Sequence, residues 1–458
     1  MEGIPELLAQ LADLDIRVWL EEGKLRLDMP KGLAAAHVVD TLRRRKQEII
    51  DFLTRPAARQ QRQEDFDPAD PAFVADPYPA YRRLREERPV HKSPLGHWVL
   101  TRFEDIRVAL LNPALANTPA PYSWLHEGKR SASIGADVAN NILPFQDGEV
   151  HAQARRLIAS TFSAQLREHL PPLEAIAQQV LDPLIARESF DVVNDLGRPF
   201  ATLAIAALLG LPESEHGRIA RWGDDFLLLL SGVQDEAQKK LLENSLAEFR
   251  PWCLQIVEQR KAEPRNDLIS AWLAAGRDGG LTDVQIADTA MLLVADGVEN
   301  VASLVGSSVA ILMQHPDVVV RMQSDPAFVE SVVQECVRFE SPGQYIARVA
   351  QQDVVIGGQQ IRRHESVLLV LGAANRDPSV YPDADRFAPE LSRARHLSFG
   401  RGRHTCLGAQ LVPLELQAAL RVLLPHWARL QLPTQTNAWR TRPGHRWLSA
   451  CPMSVSQV

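Results

Sequence analysis

The stretch from residue 282 to residue 315 constrains this chain more than any other. Its residues follow a helical pattern that is apolar almost all round, and about 32 residues at a rise of about 1.5 Å give a rod of roughly 48 Å. A helix with no polar face must be enclosed on every side, so the chain needs a large, mostly helical domain built around it. Thr282 and Gln285 have the spacing of a capping box at its start, and His315-Pro316 closes it. Asp296, Glu299 and Asn300 interrupt its centre. A charge at the middle of a bilayer costs about 2.5–3.5 kcal/mol even on lenient scales, so the segment reads as a buried core helix and not as a membrane span. The three polar groups then require partners, water or a function.

Composition agrees with an enzyme-sized globular chain. Its 458 residues are 45% hydrophobic and 23% charged, which excludes a disordered or collagenous protein. A net charge of −7 argues against a broad basic surface for nucleic acid. Cys253, Cys336, Cys406 and Cys451 lie far apart, without the spacing of a zinc cluster or a disulfide framework, which fits a reducing compartment. Glu2, Glu6, Asp13 and Asp15 are unlike a secretory leader. The expectation is a soluble, cytoplasmic protein with neither nucleic acid nor membrane as a partner.

Two regions differ in character. Residues 1–54 read as a small α+β unit: a helix over 4–14 with Leu7, Leu8, Leu11 and Leu14 on one face, then two alternating strands carrying Ile16, Val18, Leu20 and Leu25, Leu27, Met29. Glu21-Glu22-Gly23 makes the hairpin turn, and a single helix over 34–53 follows, stopped by Pro56. Residues 1–60 hold ten basic and ten acidic side chains, so the whole net charge belongs to the remainder. Residues 55–64, polar and aperiodic, read as a linker. Over 65–458 helical patterns dominate, at 79–87, 104–111, 150–162, 173–186, 199–209 and 237–259, with short strand signals at 97–101, 353–356 and 366–371. The fold class expected is mostly α with a minor β component, preceded by the small α+β domain.

The sharpest motif is Phe399-Gly400-Arg401-Gly402-Arg403-His404-Thr405-Cys406-Leu407-Gly408. Its glycines allow a tight turn and let backbone N–H groups approach the Cys406 sulfur, with Phe399 beside it. A lone cysteine is more often a small buried hydrophobe, which is the reading for the other three. The loop resembles the haem-binding signature FGxGxHxCxG of the cytochrome P450 family, a pattern expected by chance about once in a million chains of this size. The resemblance implies a P450 fold and haem b, with Cys406 as the thiolate axial ligand that donates electron density to iron. Glu335-Cys336-Val337-Arg338 matches the family's ExxR helix and 374–387 its meander, where Arg386 would complete a buried network with Glu335 and Arg338. His151 and Arg155 match an HxxxR helix, and Arg348 and His404 match further haem contacts, so His151, Arg155, Arg348 and His404 would bind the propionates.

On the central helix, Ala295-Asp296-Gly297-Val298-Glu299-Asn300 stands against a family pattern (A/G)Gx(E/D)T. By resemblance Gly297 would open space for dioxygen and Glu299 would relay protons. Asn300 replaces the usual threonine; its amide can both donate and accept, through two different atoms. Residues 117–145, with Tyr122, Trp124 and Phe145, and 226–230 resemble the roof and lid of the substrate pocket. Arg393, Arg395, Arg401 and Arg403 crowd the cysteine loop and would suit an acidic ferredoxin or flavodoxin. Residues 1–54 resemble the tubulysin-type docking domains of hybrid peptide–polyketide synthetases, whose hairpin edge and Arg43-Arg44-Arg45-Lys46 would capture a short acidic segment of a synthetase. The resemblance implies a monooxygenase acting on a small molecule or carrier-tethered intermediate of natural-product biosynthesis. Desaturation, oxidative coupling or rearrangement without oxygen insertion is the alternative outcome, and a non-catalytic recruitment protein the alternative of another class.

Overall fold

The computed structural model describes residues 7, 11, 16–21, 24–29, 36–54, 66–68, 70–93, 96–119, 125, 127–231, 235–276, 280–391, 395–433 and 438–456. The amino-terminal unit contains an antiparallel hairpin, Arg17–Glu21 paired with Lys24–Asp28 in the register Val18↔Leu27. Leu7, Leu11, Ile16, Val38, Leu42 and Ile49 form a core of its own. The expected single helix over 34–53 is two, Ala36–Arg44 and Lys46–Thr54. Arg45 leaves the regular helix and its guanidinium turns to Glu48 at 2.8 Å, yet backbone bonds from Arg45 to Thr41 and from Ile49 to Arg45 carry the i to i−4 ladder across the break. The first helical pattern, 4–14, and the turn at 22–23 lie mostly outside the described residues.

In the large unit the central helix, Asp283–Leu312, has both halves of the capping box between Thr282 and Gln285. It packs against the helices Arg198–Leu209, His216–Ser231, Glu236–Ala262 and Val412–Leu423. A short π-helical segment, Val192–Gly197, lies directly on it: a Cβ added to Gly197 would stand 3.0 Å from the Ala302 backbone, and one added to Gly306 would strike Val193. Among the described residues, two helices are long and apolar enough for a membrane, but both are mostly buried inside the protein. The burial is what their all-round apolarity demands.

The remaining helices fall close to the sequence expectations, at Tyr78–Glu87, Phe103–Leu111, Gly148–Glu168, Leu173–Ile185 and Phe328–Phe339. The minor β component is a five-stranded sheet in the order Val90–Lys92, Trp98–Leu100, Ser366–Leu369, Ile346–Ala350, Leu115–Ala116, together with a three-stranded sheet and a hairpin. The strand Ile346–Ala350 pairs antiparallel with Ser366–Leu369, Arg348 opposite Val367.

The ExxR helix anchors the meander. Arg338 donates to both Glu335 carboxylate oxygens, at 2.7 and 2.6 Å, and to the carbonyls of Asn375, Ala384 and Arg386. Arg386 therefore joins through its backbone carbonyl, not its side chain as expected. Its guanidinium lies at the surface on Glu390, because the carbonyl already satisfies Arg338 and a second buried cation would lack a counter-charge.

Candidate active site

From Ile286 to Leu312 every residue of the central helix is buried except Leu293, Asp296, Gly297 and Asn300. Their spacing puts them on one face, so a helix enclosed elsewhere opens to an internal cleft along a single stripe. The cysteine loop lies across that cleft: Asp296 and Arg155 are the charged groups whose fields reach the Cys406 sulfur.

The loop is built by its glycines. Gly400 and Gly402 have φ of 64° and 77°, the left-handed region in which a Cβ is costly. Their turns bring Cys406 back so that its N–H donates to the Phe399 carbonyl at 2.8 Å. Phe399 packs against the main core. The sulfur accepts from the backbone N–H groups of Gly408 and Ala409. Burial pushes the Cys406 thiol up to about 12, Asp296 adds to this, and those N–H groups with Arg155 oppose it. A soft thiol so placed becomes a thiolate when a metal cation takes the proton's position.

Two of the cations around the cleft lack a paired carboxylate among the described residues. Arg155 forms no ion pair among the described residues, and burial lowers its pKa. Arg348 is buried and, among the described residues, donates only to the Ala347 carbonyl, at 2.7 Å. Burial, with Arg403 adding to it against Asp147, brings Arg348 down to about 10. His151 is buried with an unsatisfied Nε2 and packs against His404, the rings 4.1 Å apart between centroids and tilted by 38°; burial and that neighbour lower it to about 4. Two arginines and an orphan imidazole nitrogen near a half-buried sulfur fit a ligand that brings both an iron and anionic groups, as haem does.

His404 differs from that set, since one of its ring nitrogens meets Asp147 at 3.0 Å. Asp147 also accepts from the Asn117 and Thr118 amides and from Arg403. Burial alone would raise this carboxyl, but the bonds from His404, Thr118 and Asn117 hold it well below the usual carboxylate range. Arg403 further donates to the Leu115 carbonyl at 3.0 Å, so it ties the loop to the sheet and is no free docking cation. Arg395 is exposed and Arg401 partly so; Arg393, Tyr122 and Trp124 lie outside the described residues. Phe145 ends a short 3-10 turn against the core, and Phe226 is fully buried.

Behind the stripe, Glu299 is buried between Arg198, with which it forms an ion pair, and Arg440 at 2.7 Å. Burial, with Asp224 nearby, pushes its carboxyl up against the pull of both arginines. A Cβ added to Gly297 would meet the Ile205 side chain at 3.5 Å, an ordinary contact, so packing does not demand the glycine. Asn300 is fully engaged: its Nδ2 donates to the Asp296 carbonyl at 3.0 Å and to Oδ1 of Asp296 at 2.8 Å, and its Oδ1 accepts from the Trp447 indole at 3.0 Å. Asp147, Arg198, Arg440 and Trp447 were not foreseen as parts of the site.

The family model described as Cytochrome P450 matches residues 233–444, and that of the TubC N-terminal docking domain matches residues 4–55. A "Biotin biosynthesis cytochrome P450" of Bacillus subtilis is 32% identical over 395 residues, covering 84% of this chain and 98% of that protein. The "Nocardicin C N-oxygenase" of Nocardia uniformis is 33% identical, with 81% and 93% covered. Among solved structures, P450BioI in complex with a hexadec-9Z-enoic acid-ligated acyl carrier protein superposes with a TM-score of 0.77 at 29% identity, covering 84% of this chain and 99% of that one.

Proposed function

Since the chain belongs to the cytochrome P450 family, we propose that it is a monooxygenase of natural-product assembly that oxidises a carrier-tethered or newly released intermediate, recruited to its synthetase through residues 1–54. As a P450 it is a haem-dependent oxidoreductase with haem b held by a cysteine thiolate, and its relatives serve bacterial natural-product biosynthesis. The observation that carries the finer reading is the presence, on one chain, of a match to a synthetase docking domain and a match to a P450. A relative solved with a loaded acyl carrier protein and another named for oxygenation at nitrogen make tethered and amine-bearing substrates reasonable. The division proposed is residues 1–54 for docking, 55–64 as linker and 65–458 for catalysis. The work would be done in the cytoplasm.

Each site residue takes a role from its surroundings. Cys406 would supply the thiolate that holds haem iron, its sulfur tempered by the Gly408 and Ala409 N–H groups. Arg155, Arg348 and His151 receive the propionates, with Phe399 beside the sulfur. His404 is assigned to the same edge, oriented by Asp147. Haem supplies the reductive activation of dioxygen. In net terms, one dioxygen, two electrons and two protons convert a C–H or N–H bond to its hydroxyl and release one water. Glu299, buried yet paired with Arg440, whose side chain is 30% exposed, is assigned to proton delivery through the wall of the cleft, and Gly297 is assigned to the space for dioxygen beside it. Electrons would come from a ferredoxin or flavodoxin, with exposed Arg395 and Arg401 on the docking face.

One observation favours a second outcome. Asn300 spends both ends of its amide on Asp296 and Trp447, so no free hydroxyl stands at the usual threonine position. That suits desaturation, coupling or rearrangement, and product mass separates these from hydroxylation. The test of the assembly reading is binding of a loaded carrier by the full chain and by a chain lacking residues 1–54. Haem retained with weakened binding to the synthetase supports it; equal binding by both contradicts it.

A further inference from the structure

This protein matches most of its central buried carboxylates with arginine. Glu299 has Arg198 and Arg440, Asp288 has Arg250, Glu335 has Arg338, Glu340 has Arg446 and Asp267 has Arg260. Asp296 has none among the described residues, where its carboxylate is met by the Asn300 amide, and it is accessible only along the stripe that faces the cleft. Burial without a cation pushes its carboxyl up to about 6.

The two departures from the family pattern on this helix touch one another. Asp296 stands where the pattern has alanine or glycine, Asn300 where it has threonine, and they are hydrogen-bonded at 2.8 Å. An indole nitrogen can only donate, so the Trp447 contact fixes the facing atom of Asn300 as Oδ1. Nδ2 must then face Asp296, where it holds one carboxylate oxygen. The second oxygen has no protein donor among the described residues. Trp447 is itself fully buried, so the chain from indole to amide to carboxylate is rigid at its base. A carboxylate held in one orientation in an enclosed cleft, with one oxygen engaged and no cation, is complementary to a single cationic donor.

We propose that Asp296 is a specificity-determining residue that pairs with a protonated amine of the substrate, selecting aminoacyl or aminoalkyl compounds over N-acylated or purely hydrocarbon ones. Asn300 and Trp447 are positioning residues for it. This rests on the reading above that the substrate belongs to an assembly line, and it narrows that class to intermediates with a free amine.

The test uses the full-length, haem-loaded protein with two probes, the pantetheine amide of leucine and its N-acetyl form. Binding is followed by calorimetry and by the optical spectrum. Variants are Asp296→Ala, which restores a family-pattern residue, Asp296→Asn, which keeps the shape and removes the charge, and Trp447→Phe, each checked for haem content. The wild type is expected to bind the free amine at least about tenfold more tightly. Both Asp296 variants should lose that preference while binding the acetylated probe as before, and Trp447→Phe should reduce it. Persistence of the preference in Asp296→Ala overturns the proposal, as does a spectrum in which the amine ligates iron; either leaves the tethered-substrate reading standing. Failure of the wild type to bind either probe overturns both.

Discussion

Removing Arg338 should cost more stability than any other single substitution in the large domain. Its guanidinium, 3% exposed, faces a carboxylate that is 1% exposed and also satisfies the carbonyls of Asn375, Ala384 and Arg386. Breaking a buried ion pair costs about 3–5 kcal/mol, and each carbonyl left without a donor costs about 1–3 kcal/mol. Even with partial relaxation the loss is roughly 5–8 kcal/mol, comparable to the whole stability of a typical domain, about 5–15 kcal/mol. Arg338→Met should therefore yield a protein with little bound haem and no cooperative urea transition by tryptophan fluorescence. Much of the penalty is the stranded charge, so Glu335→Gln combined with Arg338→Met should recover about 2–4 kcal/mol relative to Arg338→Met alone. A single variant less than about 2 kcal/mol below wild type, or a double variant as damaged as the sum of the singles, would refute the reasoning.

Glu415 is fully buried and burial pushes it up to about 8. Below its unfolded pKa both states are protonated; between there and about 8 the unfolded chain releases a proton that the folded chain keeps, so stability falls as pH rises, by up to about 1.4 kcal/mol per unit. Glu415→Gln should remove this slope, so that its Tm gains on the wild type between pH 5 and pH 8; a constant offset would contradict the assignment. Arg348→Leu and Arg155→Leu should each lose haem faster than wild type to apomyoglobin, by about tenfold for a lost charge-assisted contact, with near-native circular dichroism. Unchanged transfer rates would remove them from the propionate set. Arg440→Ala strips Glu299 of one of its two arginines and should slow turnover and alter its solvent isotope effect while substrate affinity is kept; an unaltered isotope effect would take Glu299 out of proton delivery.

Much of this was legible in the sequence because it is local. The capping box at Thr282, the all-round apolarity of the central helix and the FGxGxHxCxG loop each depend on neighbours within a turn or two, and the elements formed as the spacing required. The misjudged details depend on distant partners or on backbone atoms. Arg386 was expected to contribute a side chain where it contributes a carbonyl, a distinction that no residue pattern carries. Asp147 meets His404 from 257 positions away, Arg440 meets Glu299 from 141, and Trp447 meets Asn300 from 147. The polar centre of the buried helix did signal that partners were needed. Their identity, and the fact that Asp296 meets no arginine among the described residues, became visible only once the chain was folded.

The most direct test of the central claim is the reduced carbon monoxide difference spectrum of the purified protein beside that of Cys406→Ala. The account predicts a thiolate-type band in the wild type that is absent from the variant, with the fold retained in both. A thiolate-type band that survives in Cys406→Ala, or none in the haem-loaded wild type, would contradict it.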